Sequence, residues 1–411
     1  MNNLNGADMG FIIFSAALVM LMIPGLALFY GGLVRSKNVL STTMHSYTSL
    51  IIISVLWILV GYSLVFGPDF HGIIGGFDWA FLSNIGIEPN SDYATTIPHL
   101  LFVIFQMMFA AITVAVISGS FAERMRFGAF VLFIILWSIF VYDPIAHWVW
   151  GNGGWLKNLG VLDFAGGNVV EINSGISGLI TAIVIGKRKK AVPNPHHIPM
   201  AILGGGLLWF GWFGFNAGSA LAINGVAVNA FLTTNTAAAA GGISWIILEW
   251  IINKKPTVLG AITGSIAGLV AITQSAGFVT PLSSIVIGFI GGVVSFLAIV
   301  YLKRKLGYDD ALDAFGCHGI AGLWGAVATG LFSTTSVNPA GANGLFYGSF
   351  ELLKVNIISA FSCALYAGVV TFLILKLISL VTKLRTDKEE ESSGLDLSLH
   401  GEEAYNGINN I

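Results

Sequence analysis

Runs of about 20 apolar residues recur along the whole chain, and no other feature restricts its fold as much. A segment of that length crosses the ~30 Å hydrocarbon core of a bilayer as an α-helix. Inside lipid only helices and closed barrels satisfy every backbone N–H and C=O. The runs fall at 9–33, 43–67, 98–120, 127–148, 167–186, 199–221, 227–252, 257–274, 281–302, 312–332 and 348–381. They predict an all-α polytopic membrane protein of about eleven spans. Of the 411 residues 55% are hydrophobic and only 10% charged, a balance that excludes a soluble globular domain. The opening "MNNLNGADMG" lacks the basic start of a signal peptide, so the first run is read as a span.

Charge sets the expected topology. Arg35 and Lys37, Arg124 and Arg126, Lys187 to Lys190, Lys254 and Lys255, Lys303 to Lys305, and the group Lys383, Arg385 and Lys388 follow every second span. Loops rich in Lys and Arg stay cytoplasmic, which places the N-terminus outside and the C-terminus inside, as an odd number of spans requires. Lys157 and Lys354 are the clear basic exceptions. With a formal net charge of −2 and no basic face, nothing points to nucleic acid. Cys317 and Cys363 lie in apolar segments without ligand spacing, so no metal site, disulfide framework or cofactor is expected. Most of the 51 glycines are accounted for by close helix packing. The chain turns polar and acidic after residue 385, dividing it into a membrane domain, 1–385, and a cytoplasmic tail, 386–411. Within that tail "GLDLSLHGEEAY" (Gly394 to Tyr405) carries enough Leu and Tyr to dock.

An ionisable side chain in the bilayer costs ~2.5–3.5 kcal/mol on insertion scales and marks a functional site by default. Glu171 and His318 are the two that stand out. Each follows an aspartate by eight residues, Glu171 after Asp163 and His318 after Asp310. At ~1.5 Å per helical residue this interval is about 12 Å, close to half the hydrocarbon thickness. One span enters from outside and the other from inside, so the first ten spans read as two inverted five-helix repeats that meet at the midplane, followed by a final long helix. Transporters commonly build their sites in this way. Asp163 and Asp310 stand where helices begin and are read as structural caps. A cation-binding vestibule would need aromatic faces beside a hydroxyl or carbonyl at an outer helix end, and Trp150 and Ser219 occupy such ends.

Five stretches, "GLALFYGGLVRSKN" from Gly25, "FAAITVAVISGSFAER" from Phe109, "DFAGGNVVEINSGISGL" from Asp163, "WFGWFGFNAGSA" from Trp209 and "FGCHGIAGLWG" from Phe315, together resemble the ammonium transporter family over essentially all spans. The resemblance implies a multi-pass protein of the cell membrane, a homotrimer in the lipid bilayer with a narrow pore through each subunit. In that family ammonium, or methylammonium, is recruited outside and deprotonated, and ammonia crosses a hydrophobic channel. Carried over, Trp150, Ser219 and Phe109 match the outer recruitment site and Phe109 with Phe215 the stacked gate. Asp163 matches a buried aspartate that supports recruitment, Trp212 a pore-lining tryptophan and His318 the second of two pore histidines. Glu171 falls where the family usually has its first pore histidine. A carboxyl beside an imidazole titrates with it as a unit, so the pair is expected to exchange a proton. The tail is implied to control the pores and to meet a trimeric PII-type signalling protein.

Three other readings compete. Tyr142 with Asp143 and the run Gly307 to Asp310 resemble the two motifs of an intramembrane aspartyl protease, but the second lacks G-x-G-D order and the carboxyls fall at opposite helix ends. A sensor would bind ammonium with little flux. A plain cation channel would use carbonyl or charge rings rather than an aromatic gate over a buried Glu and His.

Overall fold

The computed structural model describes residues 4–189 and 195–405. Ten helices are long and apolar enough to cross a membrane: α1 (Gly6–Leu33), α2 (Ser36–Phe66), α3 (His99–Phe121), α4 (Phe127–Leu159), α5 (Gly167–Ile185), α6 (Ile198–Gly218), α7 (Gly225–Asn253), α9 (Pro281–Leu306), α10 (Phe315–Phe332) and α11 (Glu351–Val381). Between α7 and α9 the shorter α8 (Val258–Thr273) is apolar as well, so the predicted series of eleven is present among the described residues. The fourth run extends beyond its predicted end: α4 continues through a turn at Gly151–Gly154 into one more helical stretch, because Trp155 and Leu156 pack back onto the same end. Outside the helices, β1 (Asp69–Phe70) pairs antiparallel with β2 (Ile74–Gly75).

The two halves meet through equivalent helices. α1 runs along α6, where Gly25 lies against the backbone of Gly204 and Leu208 and Gly32 against Ala201. α5 crosses α10 as closely: a methyl group on Gly175 would stand 2.2 Å from the Gly319 nitrogen, so only glycine admits this crossing. α11 wraps the outside, tied to α4 and α5 by Trp137 Nε1 donating to Thr371 Oγ1 at 3.1 Å and by Thr371 donating to Ser177 at 3.0 Å. Exposed apolar side chains such as Phe14, Ile51, Trp250, Phe361 and Leu380 would be penalised by water and suit a membrane protein's non-aqueous surroundings. The basic clusters share one face with the C-terminal tail, here the tail face. The segment from Trp150 to Leu162 lies on the opposite face with the start of α11, where the Leu162 N–H donates to Asn356.

Candidate functional site

α5 and α10 begin alike. Asp163 precedes α5, its Oδ1 accepting the N–H groups of Gly166 and Gly167 at 2.7 Å each and its Oδ2 that of Asn168 at 2.8 Å. Gly166 takes φ +111°, a left-handed turn that a side chain would strain. Before α10 the buried Asp310 accepts the Phe315 N–H at 2.7 Å. Each carboxylate thus satisfies N–H groups that a helix start leaves unpaired. Each helix then opens with a wide π turn, Gly167–Ile172 and Phe315–Gly319, of the kind often found at functional sites.

Those turns carry Glu171 and His318, which meet. His318 Nδ1 lies 2.6 Å from Glu171 Oε2, with side-chain exposures of 7% and 1%. The predicted interval of eight residues therefore recurs, but not as eight helical rises. The residues between Asp163 and Gly167 form a turn, so Glu171 lies only about one helical turn, ~6 Å, below the start of its helix. The two side chains come together because α5 and α10 run in opposite directions and cross at Gly175, Gly319 and Gly322.

Toward the face of Trp150, two rings stack above the pair. Phe109 and Phe215 have centroids 4.3 Å apart at 35°, and both are buried. Trp150 stands edge-on to Phe109 at 5.9 Å and 88°, its indole N–H held by the Asp163 carbonyl at 3.0 Å. Ser219 donates its hydroxyl proton to the Phe215 carbonyl at 2.8 Å, leaving its oxygen lone pairs as acceptors. Trp150, Ser219, Phe109 and Asp163 line a vestibule of about 180 Å³. Beyond the rings a constriction of about 10 Å³ is lined by Phe215, Trp212, Glu171 and His318. Past the pair a cavity of about 310 Å³, lined by His318, Cys317, Asp313 and Arg188, opens to the tail face. Three spaces thus lie in series, divided by the two rings and by the Glu171–His318 contact. Trp212 is fixed by donating to Thr273 at 2.9 Å.

The Ammonium Transporter Family model matches residues 10–405. The chain belongs to the ammonium transporter family. The transporter is 61% identical over 399 residues, 97% of its length and 98% of the other's, to the ammonium transporter of Bacillus subtilis (strain 168). Among solved structures it matches Saccharomyces cerevisiae Mep2 with a TM-score of 0.88 at 35% identity, over 94% of this chain and 89% of that one. A protein described as a sensor Amt protein matches with a TM-score of 0.88 at 30% identity, over 95% and 98%.

The transporter's vestibule contains groups that sequence reasoning missed: Tyr93, Phe102, Gln106 and Lys157 line it too. Gln106 is three residues before Phe109, on the same helix face, and its buried Oε1 accepts no hydrogen bond among the described residues. That periodicity was the available signal. Tyr93 comes from a loop and had none. The protease reading gains no paired carboxyls among the described residues: both Asp143 oxygens are buried there without a partner beside Gly61, while Asp310 caps α10.

On the tail face the acidic run of the tail meets residues of the basic clusters. The tail forms α12 (Lys388–Ser393). Glu391, only 3% exposed, binds Arg385 at 2.7 Å and the Lys189 backbone N–H at 2.8 Å. Arg126 pairs with Asp387 at 2.8 Å and Glu390 at 3.0 Å. Lys303 turns instead to Asp313 at 2.6 Å, and Lys190 lies outside the described residues. These contacts are partly buried, so they are less screened than fully exposed pairs. The Leu395 N–H donates to Asn38 at 2.8 Å, and Asp396 accepts the Ser41 N–H at 2.7 Å, so the tail helps cap the start of α2. Asn38 donates to Glu123 at 2.8 Å; Glu123 binds Arg188 at 3.0 Å, and Arg188 binds Asp309 at 2.8 Å, beside the cap of α10. Burial raises the Asp309 carboxyl, but hydrogen bonds and charge from Arg188 more than offset this and hold it at about 2.

Proposed function

We propose that ammonium is recruited in the vestibule by Trp150, Ser219 and Phe109, passes the rings of Phe109 and Phe215, and gives up a proton that Glu171 and His318 relay. Ring faces attract a cation by ~0.5–2 kcal/mol, and the free lone pairs of Ser219 suit its N–H donors. The constriction, with its few polar atoms, suits neutral ammonia better than a charged ion.

The 2.6 Å contact between His318 Nδ1 and Glu171 Oε2 carries this reading. With one shared proton the pair holds carboxylate and Nδ1–H imidazole, a net charge of −1, and Nε2 can accept. A proton taken at Nε2 gives carboxylate and imidazolium. Moving the Nδ1 proton onto Oε2 then gives neutral acid and neutral imidazole, so a dry site need not hold two full charges. Loss of a proton toward the tail-face cavity restores the first state. Current recordings on reconstituted protein across pH, with Glu171→His beside the unaltered chain, test both halves. Ammonium-driven current with a changed pH profile in the variant supports the relay. Currents carried equally by potassium would favour a plain cation channel.

The functional unit in this reading is a homotrimer in the cell membrane. The gathering of basic clusters on the tail face supports that face being cytoplasmic. The tail from residue 386 then acts as a regulatory segment, and a trimeric PII-type protein would dock there. The chain of contacts from Leu395 through Asn38, Glu123 and Arg188 to Asp309 supports tail control, because Asp309 adjoins Asp310, which caps the helix that carries His318.

A further inference from the structure

Lys157 departs from the charge pattern, lying on the face opposite the tail. Its ammonium lines the vestibule. Nζ donates to the Trp150 carbonyl at 3.0 Å and lies 5.6 Å from the centroid of the Tyr93 ring, and the Asp92 carboxylate, which lines the same vestibule, attracts it from beyond ion-pair distance. The ring itself is fixed: Tyr93 donates its hydroxyl proton to the Phe66 carbonyl at 2.7 Å and stacks on Phe102 at 5.1 Å and 14°. Asn152 donates its backbone N–H to the same Tyr93 oxygen at 3.1 Å. A rigid aromatic face beside a backbone carbonyl is a site for a small ammonium ion, and here the chain fills it with an alkylammonium of its own.

We propose that the Tyr93 face and the Trp150 carbonyl form an outermost cation subsite that Lys157 occupies as a tethered ammonium. An ammonium or primary alkylammonium ion must displace it before reaching Trp150, Ser219 and Phe109. The inference rests on the recruitment reading above. Lys157 then sets the apparent affinity, because a substrate of the same charge competes with it for the same ring and carbonyl. The side chain is long, and its head is held by one ring face and one carbonyl, while the Asp92 carboxylate attracts the lysine and a substrate ammonium alike. Such a hold keeps it in place about two to five times as often as it is displaced. Removing the charge frees the subsite and lowers the apparent KM about three- to sixfold.

Ammonium-driven currents in proteoliposomes, measured against ammonium concentration for the unaltered protein, Lys157→Gln, Lys157→Arg and Trp150→Leu, test this. The expected result is a KM lowered about three- to sixfold in Lys157→Gln and close to the unaltered value in Lys157→Arg, which keeps a cation on a long stem. A KM that is unchanged or raised in Lys157→Gln, while Trp150→Leu raises it, overturns the tethered-cation inference and leaves recruitment standing. A KM indifferent to Trp150→Leu as well overturns both.

Discussion

Replacing Asp163 by alanine should disable the transporter through the geometry of one turn. Its carboxylate holds three N–H groups at 2.7, 2.7 and 2.8 Å, all buried at the start of α5. A hydrogen bond to a charged group contributes ~1.5–3 kcal/mol and a lost helix cap costs up to ~2 kcal/mol. Three bonds sharing one carboxylate fall below the simple sum, so Asp163→Ala should cost about 3–5 kcal/mol locally. The loss extends beyond stability, because the Asp163 carbonyl also anchors the Trp150 indole at 3.0 Å. Uptake of labelled methylammonium by correctly inserted Asp163→Ala should fall to background, with a lowered melting temperature in detergent. Asp163→Asn keeps an oxygen for Gly166 and Gly167 but presents an amide to the Asn168 N–H, so it should lose only about 1–2 kcal/mol and retain partial uptake. Normal uptake and stability in the alanine variant would refute the capping role. An asparagine variant as damaged as the alanine one would shift the cause from capping to charge.

Other outcomes follow from the same geometry. Phe215→Ala should leave ammonium binding in the vestibule intact and reduce flux, since the ring stands beyond Trp150 and Ser219; lost binding with unchanged flux would reverse that order. Truncation after Leu384 removes Glu391, Leu395 and Asp396 together and should lower current if the docked tail holds the pores open, whereas unchanged current would mark a passive tail. Arg188 holds Asp309 at about 2, below its ordinary value. The stabilisation is therefore fully present above about pH 4 and is lost as pH falls through the depressed value. Hydrogen exchange of the Arg188 amide, which donates to Asp309, should speed up on acidification below about pH 4, and an Asp309→Asn variant should weaken that dependence.

Much of this architecture was legible because lipid imposes a single rule on backbone polarity. The eleven apolar helices follow from run length, and the positive clusters gather on one face as the charge pattern requires. Glu171 and His318 could be paired from their matched distances to Asp163 and Asp310, although the depth came from the wrong geometry, since a capped turn and a π turn replace straight helix. Neither leaves a periodic trace in sequence. The tail was harder. Its acidic run gave no sign of burial, but Glu391 is buried because Arg385 and the Lys189 N–H replace the water it gives up. Tyr93 reaches the vestibule from a loop and Lys157 from the short helical stretch after the Gly151–Gly154 turn, placements that hydrophobic periodicity does not encode.

The role of the buried pair is tested most directly by ammonium-driven current in Glu171→Gln, recorded across pH in reconstituted membranes beside the unaltered protein. Glutamine keeps the shape and most of the hydrogen-bonding capacity of the carboxyl beside His318 Nδ1 and removes its exchangeable proton. A proton-relaying Glu171 predicts current lost or reduced at least about tenfold, the lower range for removing a positioned acid–base group, with any residual current following a shifted pH profile. Unaltered current with an unaltered pH profile would contradict the relay and leave Glu171 as a packing residue.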